Sequence, residues 1–175
     1  NLYKRNIYYL FFLIYQKVFF TKHNSKIISK QNIKVNKFDY VIYRIKNARV
    51  FTNYVETLAV ISKTSIIKEV SFQQIKGRLF KSKNEVFKTG TPKILKKFPG
   101  KMLILTQGAS GHFNYAHWLL DIIPKIKIFS LKNKLSKIDF FYFSKLTKFQ
   151  FETLKLLKID PNKIIDAKKF RHVQA

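Results

Sequence analysis

The hydrophobic pattern changes between the two halves of this chain, and the change limits the folds that it can adopt. From Lys37 to Gln73, short runs of β-branched and aromatic residues alternate apolar with polar positions. A period of two is typical of strands with one buried face, and the polar breaks between runs are short enough for hairpin turns. We therefore predict an antiparallel β meander over residues 37–90, built from runs such as "FDYVIYRI" and "ETLAVIS".

The second half of the chain alternates strand-like and helix-like segments after a connector rich in Gly and Pro, Thr89–Gly100. The segments are Lys101–Gly108 (strand), Asn114–Phe129 (helix), Lys137–Ser144 (strand), Lys148–Ile159 (helix) and a third strand in "PNKIID". This order is typical of a parallel sheet with helical crossovers. The predicted fold class is therefore α/β, an antiparallel β-rich lead-in followed by a Rossmann-like βαβαβ lobe over residues 91–175.

The N-terminal region, residues 1–36, is apolar and basic. Its run "IYYLFFLIYQKVFF" is interrupted by Gln16 and Lys17, whereas a spanning helix needs about 20 apolar residues. We predict a packed or membrane-surface helix followed by a linker, and therefore a possible peripheral membrane association. The chain starts at Asn1 rather than Met and ends at Ala175 without a capping pattern, so we expect a piece of a longer protein.

The charge of the chain is strongly positive, with 35 Lys and Arg against 9 Asp and Glu, a formal net charge of +26. Such a field attracts phosphates on nucleic acid, anionic lipid or a nucleotide sugar. Lys far outnumbers Arg and is spread evenly, whereas bidentate phosphate contacts favour Arg. We attribute most of the excess to AT-rich coding and do not expect nucleic acid as partner. The absence of cysteine excludes disulfides and fits a cytoplasmic location, at the inner face of the plasma membrane.

The segment "GHFNYAHWLLDIIPKI" gathers polar and aromatic residues in one predicted helix. His117 and Asp121 lie at i and i+4 on one helical face, and Asn114 joins that face. A helix that starts after a buried parallel strand begins where such sheets bind ligands, and its dipole favours an anion. Packing alternatives stay open: the His–Asp pair as a buried contact, Trp118 as core, Asn114 as an N-cap, and Pro124 as a helix break.

Several other chemistries are excluded by spacing. His112 and His117 are five residues apart and do not share a helical face, and there is no His-x-x-x-His pair. We therefore predict no metal site and no bound cofactor. Neither glycine-rich phosphate loop pattern occurs, and Ser110 in "GASGH" only superficially fits the Gly-x-Ser-x-Gly pattern of hydrolases.

The stretch "NYAHWLLDIIPKI" resembles the signature of family 61 glycosyltransferases, Asn-Tyr-x-His-Trp-x-x-Asp-x-x-Pro-Arg. The matching residues are Asn114, Tyr115, His117, Trp118, Asp121 and Pro124, and Lys125 stands at the position of the usual Arg. The flanking β-rich segment and the later "FQFETLKLLKID" also resemble the family, so the resemblance covers about residues 48–165.

The resemblance implies the first, acceptor-side lobe of a two-lobed, GT-B-like inverting glycosyltransferase of capsule or exopolysaccharide synthesis, with the donor lobe lying beyond this chain. Such an enzyme moves a sugar from a nucleotide-sugar donor to a glycan or polysaccharide acceptor. His117 would be the general base, oriented by Asp121, with Asp121 itself as the rival base. The predicted substrate-binding residues are Asn114, Tyr115, Trp118, His112 and Lys125.

Two other functions remain as alternatives. The first is a non-catalytic basic module that binds nucleic acid or an anionic membrane, which predicts strongly salt-dependent binding and no turnover of nucleotide sugars. The second is a hydrolase in which Ser110 is the nucleophile, which requires Ser110 to lie within hydrogen-bond reach of His117.

Overall fold

The computed structural model of the protein describes residues 15–16, 19–20, 28–53, 55–106 and 114–175. The strands are β1 Tyr15–Gln16, β2 Phe19–Phe20, β3 Ile28–Val35, β4 Phe38–Ile45, β5 Arg49–Thr52, β6 Thr57–Ser62, β7 Ser65–Ile66, β8 Phe72–Ile75, β9 Arg78–Phe80, β10 Thr91–Pro92, β11 Lys96–Lys97, β12 Met102–Ile104, β13 Phe140–Phe143, β14 Ile164–Asp166 and β15 His172–Gln174. The α-helices are α1 Val86–Thr89, α2 Tyr115–His117, α3 Ile123–Ser130 and α4 Lys148–Leu156, and a π-helix, Trp118–Ile122, joins α2 to α3.

An eight-stranded mixed sheet is the largest element of the fold. Its strand order is β11-β15-β5-β6-β7-β2, and β8 pairs with β6 and with β9. The pairs among β5, β6, β7, β8 and β9 are antiparallel, as expected for short alternating runs joined by tight turns. The pairs β11–β15 and β2–β7 are parallel.

A second sheet consists of three short parallel strands in the order β12-β13-β14. The central strand β13 is buried on both faces, because Phe141 and Phe143 pack in one apolar cluster while Tyr142 packs in another. The first cluster includes Trp118 from the π-helix and Leu154 from α4, and the second includes residues of the eight-stranded sheet. The three-stranded sheet therefore lies between the helices and the larger sheet.

A separate two-stranded hairpin is formed by β3 and β4, which pair antiparallel over all eight residues of each strand. Its two-residue turn contains Asn36, whose φ of 53° lies in the left-handed region that Asn tolerates. The hairpin contacts the helical side of the protein through Gln31, whose side-chain oxygen accepts a hydrogen bond from Asn133 Nδ2 at 2.9 Å.

The predicted fold class is wrong. The protein is a mostly β structure with one mixed sheet, one small parallel sheet and antiparallel strand pairs, and no α-helix in the described ranges is longer than the nine residues of α4. The last strand, β15, does not extend the parallel sheet but pairs antiparallel with β5, across the boundary that the sequence placed near residue 91. Within residues 91–175 the parallel sheet is limited to three strands of three or four residues, and β10, β11 and β15 belong to other sheets. The structure therefore shows no Rossmann-like lobe there.

The predicted N-terminal helix lies mostly outside the described residues. The four residues of that run that the structure does describe, 15–16 and 19–20, belong to strands β1 and β2 rather than to a helix. The predicted linker before residue 37 contains β3. Within the described part of the chain, no helix has both the length and the apolar character needed to cross a membrane.

Candidate functional site

Asn114 starts the helix that carries the candidate site. Its backbone is extended, with φ −79° and ψ 111°, and its side-chain oxygen accepts a hydrogen bond from the His117 backbone N–H at 3.2 Å. This is N-cap geometry, which satisfies one of the free N–H groups of the first turn. Asn114 therefore fixes where the helix begins and, with it, the position of His117.

The π-helix follows directly and carries Asp121. The backbone N–H of Ile123 donates to the carbonyl of Trp118, five residues earlier, which is one residue more than in an α-helix. Pro124 is the second residue of α3, which follows the π-helix directly and continues to Ser130. The widened turn thus admits the proline that was expected to break or kink the helix, and single π turns are frequent at functional sites.

His117 and Asp121 form a direct, exposed contact. His117 Nδ1 lies 2.8 Å from Asp121 Oδ2, and the two side chains are 50% and 36% exposed. An ionised carboxylate can only accept a hydrogen bond, so Nδ1 carries the hydrogen and donates it. In the neutral ring the other nitrogen, Nε2, then has its lone pair free. The structure therefore presents an oriented imidazole whose free nitrogen can accept a proton from a ligand.

Lys125 lies one further turn along the same helix, four residues after Asp121. Burial lowers the pKa of its ammonium group to about 8, while the Asp121 carboxylate opposes this shift. An amine with that pKa is mostly charged at pH 7 and loses its proton as the pH rises through about 8. His117, Asp121 and Lys125 thus place a base, an acid and a partly buried cation at successive turns of one helix.

The two aromatic residues of the segment lie in different environments. Trp118 is 1% exposed, and its ring packs against Phe143 with centroids 5.9 Å apart, so it is a core residue and not an open platform for a sugar. Tyr115 is 61% exposed, and the centroid of its ring lies 5.3 Å from that of Phe149. Of the two aromatic side chains among the predicted substrate-binding residues, Tyr115 and Trp118, only Tyr115 offers an accessible ring.

Two of the residues considered from the sequence, His112 and Ser110, lie outside the described residues. Among the residues that are described, no group of three or more His, Asp or Glu side chains is arranged to hold a metal ion. A cavity of about 200 Å³ is lined by hairpin residues, and none of the candidate site residues lines it.

Two buried hydroxyl groups at the ends of strands were missed from the sequence. Thr106 and Ser144 follow β12 and β13, are 3% and 1% exposed, and their hydroxyl oxygens have no hydrogen-bond partner. The two strands that they follow are parallel neighbours in the three-stranded sheet. The sequence does show a hydroxyl residue directly after each apolar run, Thr106 after "MLIL" and Ser144 after "FFYF".

A buried polar cluster in the large sheet was also missed. Arg49 Nη1 donates to Thr91 Oγ1 at 2.6 Å and lies 3.3 Å from His172 Nε2. A guanidinium can only donate, so this ring nitrogen must accept and His172 is neutral. Burial, and secondly the Arg49 cation, lower the pKa of His172. The cluster joins β5, β10 and β15 but shares no residue with the candidate site.

Comparison with known proteins identifies no relative of this chain. No family model matches the sequence, and no curated protein and no solved structure matches it either. The roles of the site residues therefore depend on the geometry of His117, Asp121 and Lys125 and on the chemistry that these three groups can perform.

Proposed function

We propose that the protein is an inverting glycosyltransferase that moves a sugar from a nucleotide-sugar donor to a hydroxyl of a glycan or polysaccharide acceptor. The observation that carries the proposal is the contact of 2.8 Å between His117 Nδ1 and Asp121 Oδ2 on an exposed helical face. The resemblance of residues 114–125 to the family 61 signature supports the same reaction.

The proposed reaction is a single displacement at the anomeric carbon. The acceptor hydroxyl gives its proton to His117 Nε2 while its oxygen forms a bond to that carbon. The bond between the carbon and the diphosphate breaks on the opposite face, and the diphosphate leaves with the electron pair. The proton ends on the imidazole, and the Asp121 carboxylate stabilises the resulting imidazolium through its hydrogen bond to Nδ1.

Lys125 supplies positive charge near this pair. A lysine ammonium acts as a point charge, so it would attract the departing diphosphate without the paired hydrogen bonds of an arginine. The net charge of +26 also attracts anionic donors to the protein. The exposed ring of Tyr115 would be available to stack on an acceptor sugar.

The proposed location is the cytoplasm, at the inner face of the plasma membrane. The absence of cysteine and the apolar, basic composition of residues 1–36 support it. Anionic lipids of the cytoplasmic leaflet attract basic segments of this kind.

The test uses the enzyme that contains this chain together with the donor lobe that the resemblance implies. It measures the release of nucleoside diphosphate from a panel of nucleotide sugars, with and without polysaccharide acceptors. Removal of a general base costs about 100-fold or more in rate, so His117→Ala should lose at least that much acceptor-dependent turnover. Asp121→Asn should lose activity in the same direction, because an amide cannot stabilise the imidazolium. Glu152→Gln, which changes an exposed carboxylate on α4 in the same way, is the matched control and should retain full turnover.

The proposal is wrong if His117→Ala and Asp121→Asn both stay folded and keep wild-type turnover. It is also wrong if the wild-type protein releases no diphosphate from any donor in the panel. Circular dichroism of each variant separates a loss of chemistry from a loss of fold.

A further inference from the structure

The first half of β4 exposes apolar side chains. Phe38, Tyr40 and Val41 are 56%, 37% and 43% exposed, and Asp39 between them is exposed as well. Successive residues of a strand point to opposite faces, so exposure of four residues in a row means that both faces of this half of β4 are open to solvent. A strand that served only to cover a core would expose one face.

Lysines surround these apolar side chains. Lys34 and Lys37 are exposed at the turn end of the hairpin, and Lys37 Nζ lies 5.7 Å from the centroid of the Phe38 ring. Lys30, further along β3, lies in the same way 5.6 Å from the ring of Tyr43. The acidic residue of the hairpin is Asp39. The turn end, which we define as residues 34–41, therefore combines exposed apolar rings with positive charge.

This combination decides between three kinds of occupant. A second copy of the chain would bring like charges together, and lysines on an exposed strand oppose edge-to-edge pairing. A nucleic acid would use the lysines, and a single strand could stack bases on Phe38 and Tyr40, but Val41 would stay in water. An anionic membrane surface accepts both, because apolar side chains enter the boundary of the acyl chains while lysines remain among the headgroups.

We propose that the turn end of the β3–β4 hairpin, residues 34–41, docks on an anionic lipid surface. Phe38, Tyr40 and Val41 enter the interfacial layer, and Lys34 and Lys37 contact the anionic headgroups. The proposal needs no catalytic activity and stands independently of the proposed glycosyl transfer. It identifies a membrane contact in a different element from the apolar run of residues 7–20.

The test is co-sedimentation with vesicles of phosphatidylcholine, alone or mixed with phosphatidylglycerol. The wild-type protein should bind the mixed vesicles, and salt should weaken the binding. Each membrane-proximal lysine contributes about a factor of five, so Lys34→Gln combined with Lys37→Gln should lower the partition coefficient at least about tenfold. Phe38→Ser combined with Val41→Ser should lower it by a comparable factor.

Matched controls lie on other surfaces. Ile94→Ser removes an apolar side chain that is 84% exposed, and Lys81→Gln with Lys93→Gln removes two exposed lysines. Both control variants should bind as the wild type does. Phe38→Trp adds an indole at the turn end, and lipids brominated in the acyl chains should quench it; the wild type, whose one tryptophan is the buried Trp118, supplies the background.

Four results would overturn the proposal. These are equal binding to neutral and anionic vesicles, equal losses in the controls and the hairpin variants, full binding by the Phe38 and Val41 variant, and no quenching of the added indole. Binding of a DNA duplex that the lysine variant alone abolishes, or a dimer that the serine variant dissociates, would assign the surface to nucleic acid or to a second copy instead.

Discussion

Replacement of Lys125 by Met should stabilise the protein at neutral pH. Burial lowers the pKa of this ammonium from 10.5 to about 8, so the fold holds the charge at a cost. One pKa unit corresponds to about 1.4 kcal/mol, and the free energy of unfolding should therefore rise by at most about 3.5 kcal/mol in Lys125→Met. Met fills nearly the same volume without a charge, so little packing is lost.

The dependence on pH separates this cause from a packing effect. Below about pH 8 lysine is charged in both states, and the cost is present in full. Between about 8 and 10.5 the folded protein releases the proton while the unfolded chain keeps it, so wild-type stability rises with pH. Above 10.5 lysine is neutral in both states, and the advantage of Met disappears. Arg remains charged across this range, so Lys125→Arg should show no such rise.

The assay is urea unfolding followed by far-ultraviolet circular dichroism at neutral pH and above pH 10. The reasoning is refuted if Lys125→Met is less stable than the wild type at neutral pH. It is refuted equally if the difference between the two proteins is the same at both pH values. Loss of turnover in the stabilised variant would show that Lys125 is needed for activity although its charge destabilises the fold.

Three further predictions concern other parts of the fold. Thr106→Val and Ser144→Ala each remove a buried hydroxyl without a hydrogen-bond partner, so each should raise the free energy of unfolding by about 1 kcal/mol in urea titrations. A lower free energy of unfolding in these variants would mean that the hydroxyls do have partners. Gly100→Ala should destabilise by about 2 kcal/mol or more, because φ is +135° and an added Cβ would lie 2.6 Å from Asp139 Oδ2; unchanged thermal unfolding would contradict this geometry. Because the fold lowers the pKa of His172 below 6.5, stability should be full above about pH 6.5 and fall as the pH drops, and His172→Gln should flatten that dependence in thermal melts.

Local patterns in the sequence predicted many elements correctly. The run "FDYVIYRI" corresponds to β4, Phe38–Ile45, and the predicted helix over Asn114–Phe129 corresponds to the helical segment of residues 115–130. The i, i+4 spacing of His117 and Asp121 predicted their contact, because that distance depends on helix geometry alone. Such features depend only on neighbouring residues, and the sequence contains that information directly.

The pairing of the strands could not be predicted in the same way. β4 pairs with β3 rather than with the strand that follows it, and β15 crosses the chain to pair with β5. The Arg49–His172 contact spans 123 residues and depends on that pairing. Alternation of apolar residues predicts that a segment is a strand, but it does not specify the partner. The prediction of the fold class was wrong because it depended on which strands pair.

Within the site, the environment of each side chain was the part that the sequence left open. Trp118 packs in the core on the same buried face of the helix as Ile122 and Ile126. Tyr115, in the first turn, is not part of that buried cluster and is exposed. The π turn shifts the register by one residue at Trp118, and no residue pattern specified it. The desolvation of Lys125 depends on the surrounding packing and was likewise not visible in the sequence.

The most direct test of the central claim is the tautomer of His117, read from the nitrogen shifts of its imidazole in a ¹⁵N-labelled protein. The neutral ring should carry its hydrogen on Nδ1 and a free lone pair on Nε2, and this preference should be lost in Asp121→Asn. Hydrogen on Nε2 in the wild type, or the same tautomer in both proteins, would contradict the claim that Asp121 orients His117 to accept a proton.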